Sequence, residues 1–192
     1  MVQQAGTSKA KIIQAADQLF YVHGYNQTSF SDIAAETGIP RGNFYYYFKT
    51  KDEILTAVLE HRADQIGSLL QACEEYSDDP KQQLLYLIEI LVREEENIIQ
   101  YGCPLGSLST ELSKVSLTLQ QQVALIFETI RLWIDKKLCA CGLADRSDML
   151  SMEILSRLQG TTVLANVYHD AAFLRRSAAQ HKLWLTEVLS NH

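Results

Sequence analysis

The sequence predicts an all-α protein, and its composition is the first reason. Only three prolines and nine glycines interrupt the 192 residues, while the good helix formers Leu, Ala, Gln, Glu and Lys recur throughout. Apolar residues fall at helical spacings of three and four, and no run of alternating β-branched residues indicates a strand. With 47% hydrophobic residues, the chain has ample material for a core that a small module shares with a larger body.

The first helix is predicted over residues 7–23. Gly24 is placed to end it, because glycine readily adopts the left-handed conformation found after many helices. The apolar stripe of this helix, at spacings of four, three and one residues, consists of Ile12, Ala16, Leu19 and Phe20.

Two shorter helices follow. Thr28 or Ser29 can cap the second helix, and Ser29 with Asp32 three residues later forms a weak version of the capping signature. Gly38 makes the turn, and the third helix begins near Pro40, whose fixed φ and missing N–H suit a first turn. The spacing predicts a helix-turn-helix.

The third helix has two different faces. Phe44 and Phe48 lie on one face, while Gly42, Asn43 and Tyr46 lie around the opposite side. The apolar face is therefore expected to pack inward and leave the polar face exposed. The small core predicted for the three helices consists of Ile12, Phe20, Ile33, Phe44 and Phe48.

The rest of the chain predicts a larger helical body. Thr50 can cap a long helix over residues 51–76, and Pro80 opens another that extends to about Tyr101. A break at residues 102–106 precedes a short helix to about Lys114. Three longer helical stretches follow, at roughly 116–140, 146–168 and 170–190, which makes about nine helices in all.

The third helix also carries the most informative chemistry. Arg41 and Asn43 can hydrogen-bond base edges, and Gly42 permits a close approach of the backbone to a duplex. The hydroxyls of the following tyrosines and the amines of Lys49 and Lys51 suit phosphate oxygens. This segment therefore predicts a DNA-binding module.

The charge distribution agrees with that prediction although the net charge is −6. Residues 1–51 contain five cations and three acidic residues, whereas residues 52–192 contain twelve cations and twenty acidic residues. The first segment thus carries +2 and the remainder −8. The phosphates of DNA attract the positive residues 1–51 and repel the negative residues 52–192. Charge is therefore expected to help orient the protein on DNA.

Residues 13–55 contain a characteristic pattern at fixed spacings: Ile13, Ala16, Leu19, Phe20, Gly24, Thr28, Ile33, Ala34, Gly38, Arg41, Gly42, Tyr45, Phe48, Lys51, Ile54 and Leu55. This pattern resembles the N-terminal signature of the TetR family of bacterial transcriptional repressors. The resemblance implies a helix-turn-helix DNA-binding domain over residues 1–50 and a ligand-binding and dimerisation domain over residues 51–192. It further implies a homodimer that binds a pseudo-palindromic operator in double-stranded DNA and is released by a small-molecule inducer.

The resemblance also implies individual contacts to DNA. Two positions depart from the family pattern, because Pro40 stands where a capping serine is common and Tyr47 where histidine is common. Base-contacting or base-adjacent roles fall on Arg41, Gly42, Asn43 and Tyr46. Phosphate-contacting roles fall on Thr28, Tyr45, Tyr47 and Lys51, and Ser29 at the start of the second helix is placed with the DNA-binding residues.

A ligand cavity among the middle helices is implied in the same way. The alternative is that these side chains simply pack the core, and apolar stripes usually do so. Cys103 precedes Pro104 at a helix start, where backbone amides favour a reactive thiolate, but a small residue in a turn is the favoured interpretation. The candidates are Leu70, Cys73, Leu91, Ile98, Tyr101, Cys103, Leu108, Phe127, Ile130 and Thr162.

The last two helices carry a surplus of apolar residues that predicts the dimer interface. The small residues Gly160, Thr161 and Ala165 would let two helices approach closely, as in a symmetric four-helix contact. Part of the apolar surface must also cover the core of the chain itself.

Other classes of protein are disfavoured by the sequence. It contains no nucleophile with a base, no paired carboxylates in an evident cleft and no glycine-rich phosphate loop, so we predict that it is not an enzyme. Cys139 and Cys141 do not complete a metal site, and no cofactor is predicted. No segment reaches the roughly 20 apolar residues of a membrane span, and a cytoplasmic protein is expected. A helical adaptor that binds another protein through the tyrosine-rich helix remains the alternative.

Overall fold

The computed structural model describes residues 2–190 and confirms the all-α fold class: no strand occurs among them. A short 3-10 helix at Ala144–Arg146 separates the eighth and ninth α-helices. None of the described helices has both the length and the apolar composition that a bilayer span requires. The α-helices are α1 (Val2–His23), α2 (Phe30–Thr37), α3 (Arg41–Tyr47), α4 (Lys51–Tyr76), α5 (Pro80–Arg93), α6 (Glu95–Tyr101), α7 (Pro104–Leu112), α8 (Leu117–Ala140), α9 (Ser147–Tyr168) and α10 (Ala171–Val188).

The chain forms two compact units. The first, here called the head, contains the residues up to Gln65 together with Ser107–Leu125. The second, the body, contains Ile66–Gly106 and the residues from Ile126 onward. The predicted DNA-binding segment 1–50 lies within the head, and the proposed domain boundary after residue 50 stays a prediction.

The core of the head is the one that the sequence predicts. All five residues of that prediction are at most 4% exposed. The Phe30 and Phe44 rings also meet edge to face, with centroids 6.3 Å apart. The buried set consists of Ile12, Phe20, Ile33, Phe44 and Phe48.

The helix boundaries in the head follow from local sequence. Gly24 adopts φ +88° and its N–H donates to the Phe20 carbonyl at 3.1 Å, which ends α1. Ser29 and Asp32 form a complete capping box at the start of α2. Gly38, at φ 66°, ends α2 in the left-handed conformation, which lets the chain turn sharply into α3.

The predicted helix over residues 80–101 is divided into α5 and α6. The division falls at Glu94, which lies at φ −93° and ψ 15°, outside the α-helical region. Its N–H still donates to the Ile90 carbonyl, at 3.1 Å, so the two helices follow each other without a loop. Directly afterwards, Glu95 accepts hydrogen bonds of 2.5 and 2.7 Å from Arg175 of α10, which fixes the start of α6. A hydrophobicity pattern does not reveal such a contact.

The body is built around a larger apolar cluster drawn from five helices. α5 contributes Leu84 and Ile88, and α9 contributes Leu150, Ile154 and Leu158, all at most 6% exposed. The side chain of Thr161 lies 2.8 Å from Nε2 of His181, which joins α9 to α10 by a polar contact as well. The other helices supply Leu70, Cys73, Ile134, Leu138, Ala178 and Leu185.

The two faces of α3 give a direct test of the fold. Phe44→Ala is expected to lower the free energy of unfolding by about 3–5 kcal/mol, because a fully buried ring is replaced by a cavity. Tyr46→Ala removes a ring that is 78% exposed, so it should change the free energy of unfolding by less than about 0.5 kcal/mol. Urea unfolding followed by circular dichroism measures both values, and equal losses would contradict the assignment of the faces.

Candidate nucleic-acid interface

The turn between α2 and α3 is held by local hydrogen bonds. The Thr37 hydroxyl donates to the Ile33 carbonyl at 3.0 Å and accepts from the Ile39 N–H at 3.2 Å. Pro40 then precedes the first residue of α3 and leaves no N–H to be satisfied there. These contacts set the direction in which α3 leaves the turn, and the arrangement of α2, turn and α3 is a helix-turn-helix.

Three of the four residues that the sequence analysis assigns to base contacts lie on the outer surface of α3. Gly42 and Asn43 are exposed, and Tyr46 is the most exposed ring of the helix. The side chain of Arg41, a further predicted base contact, lies outside the described part of the structure. Phe44 anchors the opposite face, so the exposed groups project from a helix whose rotation is fixed by its core.

The tyrosines of α3 are ordered by ring contacts. Tyr45 is 46% exposed and stacks on Phe30, with ring centroids 6.0 Å apart and planes inclined by 12°. Tyr46 and Tyr47 meet edge to face, with centroids 5.0 Å apart. Lys49 donates from its amine to the Tyr45 carbonyl. The predicted phosphate contacts Tyr45 and Tyr47 therefore occupy defined positions beside the outer face.

Two of the predicted phosphate contacts have structural roles within the head. Thr28 is only 3% exposed, and its hydroxyl donates to the Gly24 carbonyl at 2.8 Å. The Lys51 amine donates to the carbonyls of Tyr25 and Thr28, at 2.8 and 3.1 Å. An ammonium has three N–H donors, so Lys51 can still give one to a phosphate oxygen. The DNA contacts of both residues stay predictions.

Ser29 caps α2 from the exposed side of the head. Its hydroxyl accepts from the Asp32 N–H at 3.3 Å, and its own N–H donates to Asp32 at 2.7 Å. The hydrogen bonds from Ser29 lower the pKa of the Asp32 carboxyl, so that carboxylate is ionised at neutral pH. The N-terminus of α2 thus already has an anionic partner, and the contact of Ser29 with DNA stays a prediction.

Sequence reasoning missed Tyr25, which is a central residue of the head. It is 3% exposed, its ring meets Phe20 edge to face at 5.3 Å, and its hydroxyl donates to Asp52. Burial, and then the neighbouring Asp52 carboxylate, raise the pKa of the Tyr25 hydroxyl, which stays protonated. A local signal existed, because an apolar residue directly after a helix-ending glycine often packs on the last turn of the helix.

The predicted ligand residues are distributed over both units. Leu70 and Cys73 are buried in the large cluster of the body, and Leu91 and Ile130 pack against it. Burial raises the pKa of the Cys73 thiol to about 11, so it behaves as an apolar group. Ile98 belongs to a smaller cluster that Leu91 also touches. Tyr101 and Phe127 are half-buried, and Leu108 is a buried residue of the head.

Cys103 occupies a capping position at the start of α7. Its sulfur accepts from the Gly106 N–H at 3.4 Å. A side chain at Gly106 would lie 3.0 Å from the Gln159 side-chain oxygen, so glycine makes room for that amide. Thr162 is buried and donates to the Gln159 carbonyl at 2.9 Å. Cys103 and Thr162 are thus brought close to Gln159 in the body, and their role toward a ligand stays a prediction.

Two family models match consecutive parts of the chain. Residues 12–58 match the model described as bacterial regulatory proteins, tetR family. Residues 81–180 match the model described as transcriptional regulator LmrA/YxaF-like, C-terminal domain. The chain belongs to the TetR family of bacterial transcriptional regulators. The helix-turn-helix described above is its DNA-binding element.

Individual relatives agree with this family. An uncharacterised helix-turn-helix regulator from the lacX 3′ region of Lactococcus lactis is 31% identical over 167 residues, which cover 85% of each chain. The Bacillus subtilis regulator YxaF is 26% identical over 178 residues, which cover 91% of this chain and 93% of YxaF. A TetR regulator of Legionella pneumophila has a similar structure, with a TM-score of 0.80 at 25% identity, covering 90% of this chain and 94% of its own.

The fold does not require glycine at position 42, whereas the predicted contact of α3 with DNA does. A Cβ built there meets no atom within 4 Å, and the same holds for Gly67 of α4. Alanine at either position is expected to stabilise the protein by about 0.5–1 kcal/mol, because glycine is a poor helix former. Only Gly42→Ala should weaken DNA binding, since its methyl group stands on the outer face of α3.

Thermal unfolding and fluorescence anisotropy with an operator fragment measure the two effects. Gly67→Ala is the matched control. If Gly42→Ala and Gly67→Ala bind the fragment equally well, the prediction that the α3 backbone closely approaches DNA is wrong.

Proposed function

We propose that this TetR-family regulator is a homodimeric repressor that binds a pseudo-palindromic operator and leaves it when a small-molecule inducer binds. The observation that carries the proposal is the exposed face of α3, where Gly42, Asn43 and Tyr46 project from a helix anchored by Phe44. Because the target is chromosomal DNA, the protein acts in the cytoplasm. Repression is the usual role in this family.

In this proposal α3 enters the major groove of each half-site. A helix fits that groove, where base edges show a distinct pattern of donors and acceptors. Base contacts are assigned to Arg41, Gly42, Asn43 and Tyr46. Phosphate contacts are assigned to Thr28, Ser29, Tyr45, Tyr47 and Lys51, which fix the register of the helix but read no sequence.

The operator is best identified by selecting bound fragments from the genomic DNA of the host. Replacing Arg41 and Tyr46 together by alanine is expected to weaken binding to the selected fragment by at least about tenfold. The matched control is the pair Arg93→Ala and Tyr76→Ala, two exposed residues of the body. It should leave the affinity unchanged.

Fluorescence anisotropy at several salt concentrations provides the measurement. Binding through phosphate contacts must weaken steeply as the salt concentration rises. A wild-type affinity that is independent of salt would favour the adaptor hypothesis instead. If the doubly substituted protein bound the fragment as tightly as the wild-type protein, the assignment of the exposed face of α3 to DNA binding would be wrong.

The proposed dimer interface is formed by the last two helices, with the exposed apolar face of α9 as its main part and Leu183 of α10, which is 58% exposed, beside it. Thr161 and Ala165, which the sequence analysis assigns to this interface, are buried within the chain itself. Gly160 is exposed and a Cβ built there meets no atom within 4 Å, so a second helix can approach closely. The large apolar residues that remain at least 45% exposed on α9 are Met149, Met152, Val163, Leu164, Val167 and Tyr168.

Val163→Asp tests that interface. A carboxylate in the centre of an apolar contact would have to be desolvated without a partner, so the variant should sediment as a monomer. It should also lose operator affinity, because two linked heads bind far more tightly than one. Ala72→Asp introduces the same charge at an exposed position of α4 and should remain dimeric. If the Val163→Asp protein were still a dimer, the exposed face of α9 could not be the dimer interface.

The inducer site is proposed to lie in the body, among Leu70, Cys73, Leu91, Ile98, Tyr101, Cys103, Phe127, Ile130 and Thr162; Leu108 of the head remains a separate candidate. An inducer releases DNA only if it binds more tightly to a form of the dimer whose heads do not match the operator. By linkage, operator DNA must then weaken inducer binding by the same factor.

A further inference from the structure

The turn between α1 and α2 is held by a carboxylate from a distant part of the sequence. Glu111 of α7 accepts the Tyr25 N–H through one oxygen, at 2.9 Å, and the Asn26 N–H through the other, at 2.6 Å. The partners are 86 and 85 residues apart in the chain. All three residues belong to the head. Hydrogen bonds from backbone amides to an ionised carboxylate are among the stronger ones in proteins.

The shape of the turn suits an anion. Gly24, at φ +88°, reverses the chain so that the next two amides point the same way, and successive amides of this kind form an anion-binding concavity. A Cβ at Gly24 would lie 3.2 and 3.3 Å from the two Glu111 oxygens. Glycine is therefore needed both for its backbone conformation and for the space that the carboxylate occupies.

Other charged groups hold the same turn from α4. The Tyr25 hydroxyl donates to Asp52, and the Lys51 amine binds the Tyr25 carbonyl and lies 4.2 Å from the centre of its ring. Every polar group of Tyr25 is thus engaged by a charged side chain. Lys51 and Asp52 lie at the start of α4. Glu111, by contrast, belongs to residues 81–180, which match the C-terminal family model.

The turn leads directly into the DNA-binding elements. Ser29, three residues after Asn26, caps α2, and α2 packs against α3 through Phe30 and Phe44. A displacement of the turn therefore shifts the start of α2 and, through it, the outer face of α3. Conversely, a movement of α7 pulls on the turn through two hydrogen bonds.

We propose that Glu111 is a positioning residue for operator recognition: its carboxylate holds the α1–α2 turn so that the helix-turn-helix keeps the geometry that fits DNA. The proposal rests on the DNA-binding function proposed above. It makes α7 a direct mechanical contact of the C-terminal region with the DNA-binding elements.

The sign of the electrostatic effect makes the proposal testable. Removing a negative charge from a DNA-binding unit should by itself strengthen binding slightly, because repulsion of phosphate decreases. Glu111→Gln is nevertheless expected to weaken operator binding by about tenfold, since the amide can accept from only one of the two N–H groups and leaves the other unpaired. Glu60→Gln, at an exposed position of α4 in the same unit, makes the same charge change and should leave binding unchanged or slightly stronger.

A second control separates positioning from general stability. Glu74 of the body also accepts two hydrogen bonds, from Trp133 at 3.1 Å and from Lys137 at 2.5 Å. Both of these hydrogen bonds go to the same Glu74 oxygen, so alanine rather than glutamine is needed to remove them. Glu74→Ala should lower the melting temperature at least as much as Glu111→Gln but leave operator affinity unchanged. Equal losses of affinity in both variants would mean that the effect is one of stability, and would overturn the proposal.

The contact itself has a spectroscopic signature. Amide protons that donate to a carboxylate form shorter and stronger hydrogen bonds, so replacing the Glu111 carboxylate should move the amide proton resonances of Tyr25 and Asn26. These two resonances should therefore shift in Glu111→Gln and stay in place in Glu60→Gln. If Glu111→Gln does not fold, Glu111→Asp, whose shorter side chain cannot reach both amides, takes its place in the binding assay and should also bind more weakly than Glu60→Gln.

The possible outcomes distinguish the two proposals. Weak binding by Glu111→Gln with normal binding by both controls supports the positioning role. Equal affinity of Glu111→Gln and Glu60→Gln for a fragment that the wild-type protein binds overturns it and leaves the proposed function intact. If the wild-type protein selects no DNA, the proposed function itself fails, whatever the resonances of Tyr25 and Asn26 show.

Discussion

The packing of Phe44 and Phe48 into the head is the constraint on which the proposed DNA contact depends. α3 has only seven residues, and helices shorter than about 12–15 residues are marginal in water on their own. Tertiary contacts must therefore hold it in shape. The same contacts fix its rotation, because a helix with one buried face can present only the opposite face to solvent. The exposed position of Asn43 and Tyr46 is a consequence of where the phenylalanines lie.

Charged side chains fix the connection that leads into this helix pair. A turn of polar backbone cannot be held by apolar packing alone, because its N–H and C=O groups need partners. Lys51 supplies the donor for two carbonyls, and Glu111 supplies the acceptor for two amides. Lys51 and Glu111 thus serve the structure of the head before they serve any contact with phosphate. Net charge alone does not show this division.

Local features of the fold could be predicted from the sequence, whereas contacts between distant segments could not. The stripe of α1, the capping box at Ser29 and the turn at Gly38 each depend on residues spaced at most four positions from the next, and all are present in the structure. The contact of Glu95 with Arg175 at the start of α6 and the contact of Glu111 with Tyr25 join residues 80 and 86 positions apart. No periodicity in a single sequence encodes such a pairing. The ligand residues are hardest to foresee, because a cavity wall and a core position have the same apolar composition.

At Gly42, the residue that would best stabilise the helix differs from the residue that the proposed DNA contact favours. Nothing in the head requires glycine there, since its φ is ordinary and a Cβ would meet no atom within 4 Å. Glycine at that position reduces the stability of a helix that is already short. A residue that weakens the fold without a structural reason points to a demand from outside the chain, as sites of function commonly do. Gly24 is the opposite case, because both its backbone conformation and the Glu111 carboxylate beside it require glycine within the fold. The two glycines thus differ: the fold itself requires Gly24, whereas Gly42 has a role only in the proposed contact with DNA.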